Sequence, residues 1–260
     1  MQLDPFKRPS EEMEVLFYVL NKLSSTGWRI NKDVFAVYEH FMEKSKDYSE
    51  SPFKYYKEVD NKKRRSMLIE AEAVQKLANL HLDKTFYHLY NFDFRGRIYP
   101  NTAFLHEQSS DNARGILMLD EPVPLGPNGQ KWLCTYAANV WGEDKIPLKE
   151  RVEWVEDNLH YIKDYARDPL SHRGWMKADK PFSFLASCFE IEALTAWEKR
   201  GEESEDFPSC LPVFIDGSNN GVNTLLLCPV MKRLRLLSIL YLKLPPAMYT
   251  CSLLIRYGLG

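Results

Sequence analysis

The chain has 260 residues, 45% of them hydrophobic and 13% aromatic, a composition typical of a folded protein with one large or two modest cores. Its 34 Lys and Arg residues nearly balance 36 Asp and Glu residues, so a polyanion could bind only at a local patch. Five scattered cysteines with no CxxC pair argue against a disulfide framework and a zinc site, and the lack of a signal peptide or long apolar run predicts a cytoplasmic protein without membrane partners.

The first 88 residues predict a mainly helical region. Apolar residues recur at helical spacing in residues 11–23 and again in residues 28–38, with a polar break between them. A lysine-rich stretch follows, and a further helix is predicted over residues 66–80. The apolar face expected in the first helix consists of Met13, Leu16, Phe17 and Leu20.

From residue 89 to residue 222 the pattern mixes short β-prone pieces with helices. The β-prone pieces are residues 97–99 and 115–119, separated by turns rich in Pro and Gly. Helices are predicted over residues 150–166 and from Pro181 onward, because proline is favoured in the first helical turn. The two regions together predict a mainly helical α+β fold with a short antiparallel sheet.

An apolar, strand-like run from Leu211 leads to a turn, Asp216-Gly-Ser-Asn-Asn-Gly221. One interpretation is a turn whose Asp and Asn side chains bond their own backbone, and another is a magnesium site for phosphoryl transfer, which needs a further carboxylate from elsewhere. A calcium loop is excluded because its twelfth position, which requires a bidentate Glu, is Leu227.

A second group of functional candidates is the block Asp93-Phe-Arg95-Gly96-Arg97-Ile-Tyr99. Two arginines beside a glycine offer guanidinium groups next to a close backbone approach, which suits contacts with phosphate or sugar. The alternative is an ion pair between Asp93 and Arg97 that fixes a turn. Both interpretations stay open at the level of the residues.

Three other features have simpler interpretations. The basic run of residues 61–65 is interpreted first as a solvated helix start and second as a patch that contacts phosphate. The aromatic residues of the helix that begins at Pro181 are expected to lie in the core. Three histidines without metal-ligand spacing are expected to be structural or exposed: His81, His88 and His106.

Taken in order, four blocks of the sequence resemble the single-subunit RNA polymerase family of bacteriophage T7-like and mitochondrial enzymes. The blocks are Asn21 with Trp28-Arg-Ile-Asn31, the Asp93 block, Pro181-Phe-Ser-Phe-Leu-Ala-Ser-Cys-Phe-Glu190, and the Asp216 block. The resemblance spans roughly residues 15–222. It implies that residues 1–88 are the end of an N-terminal domain with a shortened thumb-like segment, and that residues 89–222 are the first half of a polymerase palm.

The resemblance also implies roles for individual residues. Asp216 would be one of two aspartates that hold magnesium during template-directed addition of ribonucleotides to an RNA 3′ end, and the Gly217 carbonyl would be a further ligand. The block containing Asp93, Arg95, Gly96 and Arg97 would lie along the template and the nascent hybrid. The implied partners are a DNA template, the RNA transcript and ribonucleoside triphosphates, and a phage gene would place the protein in the host bacterial cytoplasm.

Two parts of the family pattern have no counterpart in these 260 residues: the fingers helix and the His-Asp-Ser block with the second metal-binding aspartate. We therefore expect this chain not to polymerise RNA by itself. One alternative is a non-catalytic subunit of a split polymerase, active only with a partner chain. A minor alternative is an unrelated metal-dependent hydrolase, which would need a second carboxylate near Asp216.

Residues 223–260 depart from the family pattern. Relatives continue with Gln-His and then Arg-Asp-Glu, whereas here Val222 is followed by Asn223 and Thr224. When the third base of each codon is read with the first two bases of the next, these residues permit Gln-His, and residues 228–232 permit Ser-Arg-Asp-Glu. We hypothesise a change of reading frame at Asn223 and expect a poorly ordered tail. The coding DNA tests this, since an early stop in the alternate frame contradicts it.

Overall fold

The computed structural model describes residues 11–43, 51–53, 60–93 and 97–214, which form a mainly helical α+β fold, as the sequence predicts. The chain divides into two compact units, Met1–Pro212 and Val213–Gly260, and all the elements named below belong to the first. The boundary between residues 88 and 89 and the order of the tail stay predictions, since the tail lies outside the described residues. No helix of the described part is long and apolar enough to cross a membrane.

Helices account for more than half of the described residues. They are α1 (Glu11–Ser24), α2 (Lys32–Glu43), α3 (Asn61–His81), α4 (Asp111–Gly115), α5 (Gly129–Trp141), α6 (Leu148–Asp157), α7 (Leu159–Arg167) and α8 (Pro181–Glu198), with 3₁₀ turns at Arg173–Lys177 and Ser204–Asp206. The strands are β1 (Gly27–Ile30), β2 (Phe86–Tyr87), β3 (Tyr90–Phe92), β4 (Ile98–Pro100), β5 (Leu117–Leu119), β6 (Val123–Pro124) and β7 (Pro208–Ser209).

The strands form three small antiparallel sheets. The largest has the order β2-β1-β5, in which Trp28 pairs with Phe86 on one side and with Leu119 on the other. Strands β3 and β4 form a hairpin, and β6 pairs with β7. The predicted short antiparallel sheet is therefore confirmed.

Helix α8 is the centre of the described core and packs against α4, α5 and α7. Its first eight residues are all buried, and the Phe182 ring lies 5.3 Å from Tyr38, 5.2 Å from Phe53 and 6.0 Å from Trp175 between ring centroids. The prediction that the aromatic residues at the start of this helix belong to the core is confirmed. Apolar side chains surround this end of the helix, and the resulting burial is the main source of its stability.

Three predicted helices near the N-terminus differ from the structure in detail. The helix of residues 11–23 is confirmed, but two residues of its expected apolar face are not buried, since Leu16 is 45% and Phe17 43% exposed. Residues 28–30 were expected to be helical and instead form β1, because the Asn31 side chain accepts a hydrogen bond from Val34 N–H at 3.2 Å and starts α2 there. The helix predicted over residues 66–80 starts earlier, at an Asp60 N-cap, so the basic run is a solvated helix start.

Three further predictions are corrected in the second half of the chain. The single helix expected over residues 150–166 is two helices, because the chain breaks at Asn158, whose side chain donates to the Trp154 carbonyl at 2.8 Å. The aromatic residues Phe189 and Trp197 of α8, expected in the core, are only half-buried, and Ile191 and Leu194 are the buried residues in that part of the helix. Residues 211–214, expected to be a strand, do not form one in the structure, and the nearby strand is β7.

Candidate functional site

The sheet β2-β1-β5 brings the first sequence block next to the segment that leads to Asp216. Trp28 and Ile30 of that block lie on β1 and point into the core, and they pair with Leu119 and Leu117 of β5. At the end of β5, Leu119 N–H donates to the carbonyl of Cys210 at 2.8 Å. The first block is therefore one strand away from the chain segment that precedes Asp216 by six residues.

The third block contacts the same segment from the other side. Glu190 of α8 accepts a hydrogen bond from the Ser209 hydroxyl, and the backbone N–H groups of Cys210 and Leu211 also bond its carboxylate. Burial raises the pKa of Glu190, while these hydrogen bonds lower it. The segment of residues 209–211 is thus held by β5 on one side and by α8 on the other.

The predicted metal ligands Asp216 and Gly217 lie outside the described residues, so their role stays a prediction. Within the described ranges, no group of three His, Cys, Asp or Glu side chains could hold a metal ion. The magnesium prediction therefore depends on Asp216, Gly217 and a carboxylate from elsewhere.

The second block lies on the β3–β4 hairpin. Asp93 N–H donates to the Arg97 carbonyl, and Arg97 N–H donates to the Asp93 Oδ1 atom, both at 2.9 Å. The two hydrogen bonds close the hairpin at its tip, so Asp93 fixes the turn through the Arg97 backbone, whereas the alternative interpretation expects an ion pair with the Arg97 side chain. Arg95 and Gly96 lie outside the described residues.

The Arg97 guanidinium lies on the surface of the hairpin and is fully exposed. A hydrogen bond with Tyr99 raises the pKa of Arg97, and the Tyr99 and Asp93 charges act in the same direction. The side chain therefore stays protonated and keeps its planar donor groups in solvent, where they can reach a phosphate. Tyr99 is 40% exposed and offers an aromatic surface beside the charge.

A buried histidine supports the base of this hairpin. His88 is 1% exposed, and its ring centroid lies 5.8 Å from that of Trp28 and 5.5 Å from that of Phe86. Its Nδ1 atom lies 3.2 Å from the Thr102 hydroxyl, and its Nε2 atom has no hydrogen-bond partner among the described residues. Burial lowers the pKa of His88 to about 4, and the charges of His106 and His81 add to this effect. The prediction of a structural histidine is confirmed.

We expect His88 to make folding stability depend on pH. Its folded pKa of about 4 lies below the ordinary value of 6.5, so the unfolded chain binds the proton first and stability falls as pH drops below 6.5. The loss at pH 5 is about 2 kcal/mol. Urea unfolding at pH 7.5 and pH 5 should show that loss in the parent chain and not in His88→Gln.

Two features make this measurement specific. Burial raises the pKa of Glu107 and of Asp111, which favours the folded state at low pH, but both groups are present in parent and variant and cancel in the comparison. The exposed His172 provides the control, since His172→Gln should keep the parent's pH dependence. Equal pH dependence in the parent and His88→Gln would contradict the prediction.

A cleft of about 460 Å³ lies where α4 meets the start of α8. Asp111 accepts hydrogen bonds from Phe182 N–H at 2.9 Å and Ser183 N–H at 3.1 Å, which satisfies two donors that the start of α8 leaves open. The charged residues that line the cleft are Glu70, Asp111, Arg114, Asp179 and Lys180. Its carboxylates outnumber its cations, so the cleft does not favour a polyanion.

Sequence reasoning did not identify Asp111 or Glu190 as anchoring residues. Each carboxylate bonds a segment far away in sequence, 71 residues for Asp111 and Phe182 and 19 residues for Glu190 and Ser209. Local periodicity carries no information about such pairs. Glu190 could have been noticed as an acidic residue at the end of the apolar third block, but its partner could not.

A model of the family described as DNA-dependent RNA polymerase matches residues 123–224, a range that contains α8, the anchored segment and the Asp216 turn.

Individual relatives extend the match over most of the chain. The mitochondrial DNA-directed RNA polymerase of Neurospora crassa is 31% identical over 238 residues, which covers 81% of this chain and 16% of the relative. The mitochondrial DNA-directed RNA polymerase 1B of Nicotiana tabacum is 33% identical over 251 residues, covering 85% of this chain and 25% of the relative. T7 RNA polymerase of Escherichia phage T7 is 30% identical over 241 residues, covering 81% and 26%.

The chain belongs to the family of single-subunit DNA-directed RNA polymerases, which confirms the resemblance found in its sequence blocks. It spans 16% to 26% of the length of these three relatives.

Proposed function

We propose that this chain forms part of a DNA-directed RNA polymerase that adds ribonucleotides to an RNA 3′ end under the direction of a DNA template. The observation that carries the proposal is that the first and third blocks flank residues 209–211, just before the Asp216 turn. The similarity over 81% to 85% of the chain supports it independently. Ribonucleoside triphosphates, a template and a transcript are the corresponding substrates and partners.

The Asp216 block and the Asp93 block have separate proposed roles. Asp216, with the Gly217 carbonyl, would hold a magnesium ion, which neutralises charge on the reacting phosphate oxygens. Arg97 would contact the sugar-phosphate backbone of the RNA–DNA hybrid, and the Asp93 hydrogen bond keeps it at the hairpin tip. The metal also needs a second carboxylate, which must come from elsewhere.

The reading frame and the state of assembly are part of the proposal. The family match ends at residue 224, two residues after Val222, where we place the change of frame. These 260 residues contain no counterpart of the fingers helix or of the His-Asp-Ser block. We propose that the chain does not add nucleotides by itself, and that activity appears when the frame is restored or, in the split-polymerase alternative, when a partner chain supplies those parts.

Binding of an RNA–DNA hybrid tests the proposal on the 260-residue chain. We expect Arg97→Ala to weaken binding and to reduce the slope of log K against log salt by about one, because one phosphate contact is lost. Fluorescence anisotropy with a labelled hybrid at several salt concentrations measures both quantities.

The matched control for this experiment is Lys145→Ala. Lys145 is also an exposed cation, but it lies on the loop after α5 and pairs with Asp144 at 2.8 Å. The control should bind like the parent chain. If Arg97→Ala and the control have the same slope of log K against log salt, Arg97 does not contact the hybrid. If the parent chain does not bind the hybrid, the result counts against the proposed function itself.

A further inference from the structure

We propose that Glu190 is a positioning residue, which fixes the segment of residues 209–211 and thereby sets the point from which the chain continues to Asp216. The inference rests on the proposed role of Asp216. The family pattern quoted above assigns Glu190 no role beyond its place at the end of the third block. The structure adds its contacts with a distant part of the chain.

All the identified donors to this carboxylate come from one short segment. They are the Ser209 hydroxyl and the backbone N–H groups of Cys210 and Leu211. Leu211 N–H also lies 3.3 Å from the Ser209 hydroxyl oxygen, so the side chain of Ser209 bonds both α8 and its own segment. A carboxylate that receives successive backbone N–H groups restricts the backbone angles between them.

Burial makes these contacts specific. Ser209 is 8% and Leu211 is 9% exposed, and Glu190 is half-buried on α8. A partly buried carboxylate is costly unless donors compensate it, so Glu190 stabilises the fold best with residues 209–211 in this register. A shift by one residue would replace the hydroxyl donor and leave the carboxylate poorly paired.

The opposite side of the segment is held by backbone pairing. Leu119 N–H donates to the Cys210 carbonyl at 2.8 Å, and Ser209 pairs with Val123 across the β6–β7 sheet. Two independent restraints therefore act on residues 209–211, and Asp216 follows Leu211 by five residues. Catalytic groups need placement within about 0.5 Å, and a misplacement of about 1 Å costs roughly 10²-fold in rate.

Hydrogen–deuterium exchange on the 260-residue chain tests the restraint without any assay of activity. We expect Glu190→Gln to increase exchange of Cys210 and Leu211 amides about tenfold, because an amide group cannot accept all three donors. Amides of α5 should keep their protection. Ser209→Ala should have a similar local effect, and Ser209→Thr, which keeps the hydroxyl, should restore protection. Unchanged exchange in both Glu190→Gln and Ser209→Ala would overturn the inference.

Kinetics then separate positioning from a purely structural role. In a polymerase with the frame after Val222 restored, Glu190→Gln should lower kcat for nucleotide addition by about 10²-fold and leave KM for the triphosphate within about twofold. Ser209→Thr, which keeps the hydroxyl, should retain most of the parent kcat. If Asp216→Asn abolishes addition while Glu190→Gln keeps the parent kcat, the positioning role is wrong and the proposed function stands. If Asp216→Asn is active, the proposed metal role fails, whatever the exchange data show.

Discussion

Replacing Asp216 with Asn should abolish nucleotide addition in a polymerase that carries these residues with the frame after Val222 restored. The neutral amide is a poor ligand for magnesium, which prefers carboxylate oxygen. A metal ion stabilises the transition state by several kcal/mol, so the rate should fall by at least about 10³-fold. Extension of a labelled RNA on a DNA template measures the loss, and binding of the hybrid should stay within about twofold of the parent.

The control for this substitution is Asp206→Asn. Asp206 is an exposed aspartate in the 3₁₀ turn before β7, and the proposed site does not use it. The Asp206→Asn variant should keep the parent rate of nucleotide addition. This result would separate the loss of a metal ligand from the loss of one negative charge in the region. Near-normal synthesis by Asp216→Asn would refute the metal role. A loss of the same size in Asp206→Asn would show that charge in general, and not ligation, is being measured.

Much of the secondary structure was predictable because it follows from local spacing. The proline at the start of α8 and the apolar residues after it predict a helix, and the helix occurs there. Local spacing failed where a single polar side chain decides the outcome. Asn31 starts α2 and Asn158 ends α6, and each interrupts an apolar pattern that would otherwise continue as a helix.

The candidate site was only partly predictable for a related reason. The block order pointed to Asp216 and Arg97, and the structure adds the contacts that hold Arg97 and the segment before Asp216. Glu190 and Asp111 bond distant segments, and no periodicity relates a carboxylate to a partner 19 or 71 residues away. Such pairs follow from the packing of α8, which brings its start to α4 and its middle to β7.

Replacing Gly115 with Ala should destabilise the fold by roughly 3–5 kcal/mol, a large part of the ordinary stability of a domain. A Cβ atom at this position would lie 2.5 Å from the Phe182 carbonyl carbon and 2.7 Å from its oxygen. These are backbone atoms of α8 and cannot rotate away, so α4 must move. Movement of α4 would also break the hydrogen bonds from Phe182 and Ser183 to Asp111, which lies one turn before Gly115.

Gly126→Ala separates steric conflict from backbone strain in this measurement. Gly126 has a positive φ of 69°, but a Cβ atom there would meet nothing within 4 Å. Strain alone should cost about 1 kcal/mol. Urea unfolding of both variants at pH 7.5 compares the two costs, and a Gly115→Ala loss no larger than that of Gly126→Ala would contradict the tight packing of α4 on α8. We expect the larger loss at Gly115, because relief of the clash and retention of the Asp111 hydrogen bonds require opposite movements of α4.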